Sequence, residues 1–107
     1  FGAEPPPGGD PPGQATNPDP ADGSNGLGIT TYLTWSAGSL ATSHDVYFGT
    51  DSTPDAGELQ ANQTGTTFDP GTLAYSTTYY WRVDEFDIVE THKGNVWSFT
   101  TRAERLL

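Results

Sequence analysis

Two segments in the second half of the chain combine aromatic and β-branched residues with a strict alternation of polar and apolar positions. They run from Thr77 to Phe86 and from Asn95 to Thr101. A period of two is the period of a β-strand with one buried and one exposed face. The large rings of both segments would then share one face, which predicts the core of a small all-β sandwich. The residues expected on this buried face are Tyr79, Trp81, Val83, Trp97 and Phe99.

Shorter segments earlier in the chain have the same character and are separated by turn signals. Residues 27–36 and 43–49 are the clearest strands, residues 58–62 and 66–69 are short ones, and residues 17–23 form an irregular first strand. About seven strands with turns at intervals of about 8–12 residues are typical of a seven-stranded antiparallel β-sandwich. The remaining core residues are expected to be Leu33, Trp35, Val46, Phe48 and Leu73.

Composition limits both the size of the protein and the partners that it can bind. The chain has 107 residues, which is room for one domain, and no cysteine, so its stability has to come from buried side chains. A formal net charge of −10 repels DNA, RNA and anionic lipid, so nucleic-acid binding is not expected. No run of about 18 apolar residues is present, and membrane insertion is not expected either.

The first sixteen residues differ in composition from the rest of the chain. Proline lacks a backbone donor and glycine is unrestrained, so residues 1–16 predict a linker of extended, polyproline-like character ahead of a module at 17–101. This segment is either a passive spacer or an arm that docks on a neighbouring copy. Residues 102–107 form a short exit segment. The docking residues of the arm would be Phe1, Pro5, Pro6, Pro7, Pro11 and Pro12.

Several short motifs within residues 17–101 resemble those of a fibronectin type III-like module, an immunoglobulin-like β-sandwich, in the versions found in bacterial secreted or surface proteins. The motifs are Pro20-Ala-Asp-Gly23, Leu33-Thr-Trp35, His44-Asp-Val-Tyr-Phe-Gly49, Tyr80-Trp-Arg-Val-Asp84 and Trp97-Ser-Phe-Thr-Thr101. The resemblance implies a tyrosine corner at Leu73 and Tyr79, in which the phenol bonds back to the backbone near the preceding turn. It also implies that Trp35 is the core tryptophan of the second strand. His44 stands where the family often has tyrosine, and the proline-rich arm is not part of the family pattern.

The titratable residues suggest no catalytic constellation, and neither enzymatic activity nor a cofactor is expected. Two histidines without cysteine cannot complete a zinc site. His44 alternates with Val46 and Phe48 and is expected in or near the core, whereas His92 is expected in solvent. Four acids, Asp84, Glu85, Asp87 and Glu90, surround the loop before the last strand. They indicate either a solvated acidic loop or, with a spacing that matches no calcium motif, a calcium site.

Two surface features remain open. Asn62-Gln63-Thr64 is an N-glycosylation sequon, which is either used or present by chance. If the core rings point inward, Tyr47, Tyr80, Arg82 and Val96 point outward from adjacent strands. This patch is either a contact surface for a partner or a glycan, or ordinary cross-strand pairing on a wet face.

Two functional hypotheses follow. The first is a non-catalytic extracellular or cell-surface module that acts as a spacer or as a repeating subunit of a surface assembly or fibre. Its partners would be neighbouring copies or adjacent domains, and deletion of residues 1–16 would leave the fold intact while abolishing assembly. The alternative is a carbohydrate-binding accessory module of a secreted polysaccharide-degrading enzyme, in which Tyr47 and Tyr80 stack on the sugars of a polysaccharide.

Overall fold

The computed structural model describes residues 12–105, which form two β-sheets packed face to face. A single 3₁₀ turn, Ala56–Glu58, interrupts the strands in this part of the chain. The predicted all-β sandwich is confirmed. The nine strands are β1 Thr16–Asp19, β2 Ser24–Leu27, β3 Leu33–Ser36, β4 Ser43–Gly49, β5 Leu59–Gln63, β6 Thr67–Phe68, β7 Thr78–Phe86, β8 Thr91–His92 and β9 Trp97–Thr101.

The strands divide into a small and a large sheet. The small sheet has the order β1-β3-β6, and the large sheet has the order β2-β9-β7-β4-β5, with β8 also paired to β7. Every pairing is antiparallel except that of β2 with β9, which is parallel. The longest strand, β7, lies in the middle of the large sheet, and its residues 80–86 pair with the whole of β4, so that Tyr47 faces Arg82 and His44 faces Glu85.

The strand predicted over residues 27–36 is wrong as a single element. Residues up to Leu27 belong to β2 in the large sheet, and the chain then crosses to the small sheet, where β3 begins at Leu33. A turn in which the Thr31 hydroxyl donates to the Gly28 carbonyl lies between the two strands. The alternation of polarity continues through this crossing, which is why a sequence pattern cannot locate it. The last strand also begins later than expected, at Trp97.

The core lies between the sheets and consists almost entirely of the predicted residues. Trp81 and Trp97 meet edge to face with ring centroids 4.8 Å apart, and Phe48 stacks on Tyr79 at 5.0 Å. Tyr79 is partly buried and packs against the core, while Ala15 is a buried member that the sequence did not indicate. The other buried apolar residues are Leu33, Trp35, Val46, Leu73, Val83 and Phe99.

The chain enters and leaves the sandwich at opposite ends. Residues 12–15 lie beside the turn at residues 38–41 and the loop at residues 87–94, and we call this end the N-terminal pole. Because β9 runs antiparallel to β7, it ends at the other end, where the Arg102 amide donates to the Leu27 carbonyl. We call that end the C-terminal pole. No helix in residues 12–105 is long and apolar enough to cross a membrane.

Candidate functional site

Arg82, the cation of the predicted outward patch, is buried. Only 6% of the residue is exposed, because the loop before the 3₁₀ turn covers the outer face of β7 at this point. Its guanidinium donates to both carboxylate oxygens of Asp84, at 2.8 and 3.2 Å, and to the Pro54 carbonyl at 2.7 Å. It also lies 4.1 Å from the centroid of the Tyr47 ring. The prediction of an exposed Arg82 is therefore wrong, since its donors are used inside the module.

The other three residues of the patch remain at the surface. Tyr47 and Tyr80 are partly buried on the outer face of the large sheet, and Val96 is 39% exposed. Tyr47 pairs with Arg82 and Gly49 pairs with Tyr80, so the two phenol rings are diagonal neighbours. One face of the Tyr47 ring is occupied by Arg82. A role for Tyr47, Tyr80 and Val96 as a contact surface stays a prediction.

Glu85 is completely buried, on the same face of β7 as Trp81 and Val83. One carboxylate oxygen bonds to Nδ1 of His44, and the other accepts from the Gly38 amide at 2.7 Å. His44 is itself 3% exposed, as expected for a core position, and packs against the Trp35 ring with centroids 5.6 Å apart. This buried pair therefore attaches the turn at residues 38–41 to the centre of the large sheet.

The neighbouring acids are also used as acceptors. Asp84 accepts from the Gly94 amide at 2.9 Å in addition to Arg82, and Asp87 accepts from the amides of Val89 and Glu90 at 2.7 Å each. Because Asp84, Glu85 and Asp87 are buried, the predicted solvated acidic loop is wrong for these residues. Their oxygens point at backbone amides, which is the arrangement that fixes the loop 87–94.

Within residues 12–105, one group of three carboxylates converges, and it lies elsewhere. Oxygens of Asp51, Asp55 and Glu58 fall within 4.8 Å of one another. Asp55 caps the 3₁₀ turn by accepting from the Gly57 amide at 3.0 Å, and Glu58 accepts from the Asp55 amide at 2.8 Å. The hydrogen bond from the Gly57 amide to the Asp55 carboxylate, followed by a side-chain hydrogen bond between Asp55 and Glu58, lowers the pKa of Asp55 below its ordinary value of 3.8. Capping of the 3₁₀ turn therefore explains why the Asp55 and Glu58 carboxylates lie close together.

The last residues of the predicted arm pack on the module itself. Pro12 is fully buried, and its carbonyl accepts from Nδ1 of His92 at 2.6 Å. The Gly13 amide donates to the Ser39 carbonyl at 2.8 Å, and the Gln14 side chain donates to the Lys93 carbonyl at 3.0 Å. The boundary at residue 16 is therefore wrong, because residues 12–16 belong to the folded body. The predicted solvated position of His92 is wrong for the same reason. Phe1, Pro5, Pro6, Pro7 and Pro11 lie outside the described residues.

Two glycines allow the backbone to approach closely at this pole. A Cβ on Gly38 would overlap the Gly13 carbonyl, and a Cβ on Gly94 would overlap the Val83 carbonyl. Sequence reasoning missed both positions, since their glycines look like ordinary turn residues. Glu85 was missed as a core acceptor, although its place two residues after Val83 assigns it to the buried face of β7.

At the C-terminal pole, neutral groups hold the turn before β7. The Tyr79 hydroxyl accepts from the Ala74 amide at 2.8 Å, which is the contact that the tyrosine corner implies. The Thr101 hydroxyl donates to the Ala74 carbonyl at 2.6 Å and accepts from the Thr77 amide at 3.0 Å. The Arg102 guanidinium lies 5.1 Å from the centroid of the Tyr75 ring. These contacts define how the chain leaves the sandwich.

The sequon asparagine lies on an edge strand of the large sheet. Asn62 is exposed on β5, and its side-chain nitrogen donates to an Asp45 carboxylate oxygen at 2.6 Å. This is the nitrogen to which a glycan would be attached, and attachment would replace one of its two hydrogens. Glycosylation of Asn62 stays a prediction.

Exposed apolar side chains concentrate at the turns of the N-terminal pole. Leu40 is 64% exposed, Ile88 is 86% exposed and Val89 is 60% exposed. The sequence offers one signal for them, an apolar pair set between Asp87 and Glu90 where a polar turn is usual. No pocket is found in the part of the chain that the structure describes.

Comparisons with known proteins agree in fold with the predicted resemblance. No family model matches the sequence, and no curated protein does. The solution structure of the sixth fibronectin type III domain from human fibronectin type III domain containing protein 3 is 18% identical, with a TM-score of 0.68 and 92% of each chain covered. The crystal structure of an Fn3-like protein from Clostridium thermocellum is 22% identical, with a TM-score of 0.64. That match covers 91% of this chain and all of the other.

Proposed function

We propose that this fibronectin type III-like sandwich is a non-catalytic extracellular interaction module, used as a spacer or as a repeating subunit of a surface assembly. The observation that carries the proposal is the attachment of the chain at opposite poles. Residues 12–14 are hydrogen-bonded to the loops of one pole, and Arg102 is hydrogen-bonded at the other. A module attached at both poles in this way would fix the position and the orientation of the modules on either side of it.

The length of the module supports a spacer. β7 has nine residues and runs between the poles, so at about 3.3 Å per residue it separates them by roughly 30 Å. Residues 12–14 at one pole and residues 101–102 at the other are tied by side-chain as well as backbone hydrogen bonds. Each copy in a series would therefore add a fixed increment of length.

The use of the buried ionisable groups supports a structural role. Asp84, Glu85 and Asp87 all accept from backbone amides, and Arg82 donates to Asp84 and to a carbonyl. Groups bound in this way are occupied in holding loops, whereas a catalytic acid or base has to face a substrate. The extracellular placement is proposed from the resemblance to modules of bacterial secreted or surface proteins.

A carbohydrate-binding accessory module is the second candidate. It is favoured by the diagonal placement of Tyr47 and Tyr80 on one sheet face and by the Arg82 contact that holds the Tyr47 ring in place. Rings held in advance lose little entropy when they stack on a sugar.

Electron microscopy of the native material, together with titration against a broad glycan panel, separates the two functions. We expect beads or fibres of regular spacing and no glycan binding, with unchanged behaviour in Tyr80→Ala. The matched control for glycan binding is Tyr32→Ala, because Tyr32 is 56% exposed and precedes β3 of the small sheet. Glycan binding that is lost in Tyr80→Ala and kept in Tyr32→Ala would establish the carbohydrate module instead. Turnover of any panel member would overturn the non-catalytic proposal.

A further inference from the structure

The exposed apolar residues of the N-terminal pole lie on two adjoining turns. The Thr42 amide donates to the Phe86 carbonyl at 2.8 Å, and this bond joins the strands that carry the turns. Leu40 is two residues before Thr42, and Ile88 is two residues after Phe86. Single exposed apolar side chains are ordinary, but aliphatic side chains grouped on neighbouring turns form a patch that favours contact with a partner. We call Leu40, Ile88 and Val89 the apolar tip.

Buried acceptors hold the apolar tip in place. Asp87 accepts from the Val89 and Glu90 amides, and Glu85 accepts from the Gly38 amide in the turn that carries Leu40. Leu40 itself has a φ of 67°, a left-handed conformation that is costly for a leucine. The backbone of this turn is already fixed with Leu40 exposed. Little conformational entropy would therefore be lost when a partner binds Leu40.

The rim of the apolar tip carries a negative charge. Glu90 follows Val89 directly, and its carboxylate makes no hydrogen bond or ion pair within residues 12–105. Lys93 is the cation of this pole and lies on the far side of the loop, beside Gln14. A partner that combines apolar side chains with a cation next to them would therefore fit.

The C-terminal pole of the same chain offers this combination. The chain has four cations, of which Arg82 is buried with Asp84 and Lys93 lies at the N-terminal pole. The other two, Arg102 and Arg105, are exposed in the segment that leaves the sandwich, and Leu106 and Leu107 follow in the sequence. Tyr32, which is 56% exposed, precedes β3 at the same pole.

We propose that the segment from Arg102 to Leu107 of one copy binds the apolar tip of the next copy, with Arg105 beside Glu90. The proposal rests on the repeating-subunit form of the proposed function and identifies its partner as a second copy of this chain. Such a contact joins unlike surfaces. Repeated from copy to copy, it produces an open head-to-tail chain rather than a closed dimer. It applies whether the copies are separate or follow one another in a longer polypeptide.

The first test is the self-association of the purified chain, measured by sedimentation velocity over a concentration series. We expect species larger than a dimer at high concentration. Association should drop by about tenfold or more in Ile88→Asp, because a charge replaces an aliphatic side chain that the contact between copies would bury. Leu59→Asp is the matched control, since Leu59 is 47% exposed on the edge strand β5, away from the tip. Equal effects of the two substitutions, or a chain that stays monomeric, would overturn the proposal.

The second test pairs the charges. Glu90→Arg and Arg105→Glu should each weaken association by about threefold to fivefold, and the double variant carrying both should regain most of the loss. Circular dichroism of each variant verifies the fold. A double variant that is weaker than either single variant would show that the two residues do not meet. If the purified chain is monomeric in sedimentation while electron microscopy of the native material shows beads of regular spacing, this contact is overturned and the spacer function stands.

Discussion

The two poles of the sandwich hold their turns with different chemistry. At the N-terminal pole the acceptors are buried carboxylates, Asp84, Glu85 and Asp87, which bind amides of the surrounding turns. At the C-terminal pole they are neutral hydroxyls, those of Tyr79 and Thr101. Both arrangements satisfy backbone amides that the sheets leave unpaired.

The difference indicates which pole has to be rigid. A charged acceptor makes a stronger hydrogen bond than a hydroxyl, but removing its partner leaves a buried group without compensation. The N-terminal pole uses the stronger device where it carries an exposed leucine in a left-handed conformation and receives residues 12–15. The C-terminal pole fixes one turn and the departing strand. Substitutions should therefore be more costly at the N-terminal pole.

The largest effect is expected at Glu85. In Glu85→Ala the Gly38 amide and His44 lose their buried acceptor, and the free energy of unfolding should fall by about 3–5 kcal/mol. Denaturant titration measures the change. The double variant His44→Leu/Glu85→Leu is the control, because replacing both members of a buried pair by apolar groups should restore much of the stability. A loss below about 1 kcal/mol in Glu85→Ala would mean that substitutions at the N-terminal pole cost no more stability than those at the C-terminal pole.

A smaller effect is expected at Gly38, where residues 12–14 pack on the turn at residues 38–41. A methyl group there would overlap the Gly13 carbonyl, so Gly38→Ala should displace residues 12–14 and cost about 1–3 kcal/mol. Faster amide hydrogen exchange at Gly13, followed by NMR, reports the displacement. Gly28→Ala is the matched control, since nothing lies within 4 Å of its Cβ position. Protection of Gly13 that survives in Gly38→Ala would show that this packing is not what holds the segment.

The smallest effect is expected at the C-terminal pole. Tyr79→Phe removes the hydroxyl that accepts from the Ala74 amide and should cost about 1 kcal/mol, because a neutral bond is lost and the ring still stacks on Phe48. Thermal or denaturant unfolding measures it. Tyr32→Phe should be without effect, since the Tyr32 hydroxyl makes no hydrogen bond within the described residues. A cost at Tyr79 equal to that at Glu85 would remove the contrast between the poles.

The deletion of residues 1–16, expected from the sequence to abolish assembly without affecting the fold, needs a different end point because residues 12–16 belong to the folded body. Removal of residues 1–16 would take away buried Pro12 and Ala15 together with the start of β1. A deletion that ends at Pro11 leaves these contacts in place. It is the version that tests whether the proline-rich segment takes part in assembly, a role that stays a prediction.

Much of the core followed from the sequence because strand alternation is local. The inward positions of β4, β7 and β9 were assigned from the period of two, and Val46, Trp81 and Phe99 are buried accordingly. The same rule could not separate β2 from β3, since a crossing between sheets leaves the alternation unchanged. It also could not show that the turns of the N-terminal pole carry exposed aliphatic residues on a fixed backbone.

The sequence by itself determined the fold class and the inward face of the central strands, because both depend on residues that are neighbours in the chain. Only the tertiary structure decided what becomes of the polar residues near them. Arg82 is buried because Pro54, 28 residues away, covers it, and Glu85 is satisfied by Gly38, 47 residues away. Whether a charged side chain is solvated depends on which distant loop excludes water from it. A local sequence pattern does not show which residues far along the chain will pack there.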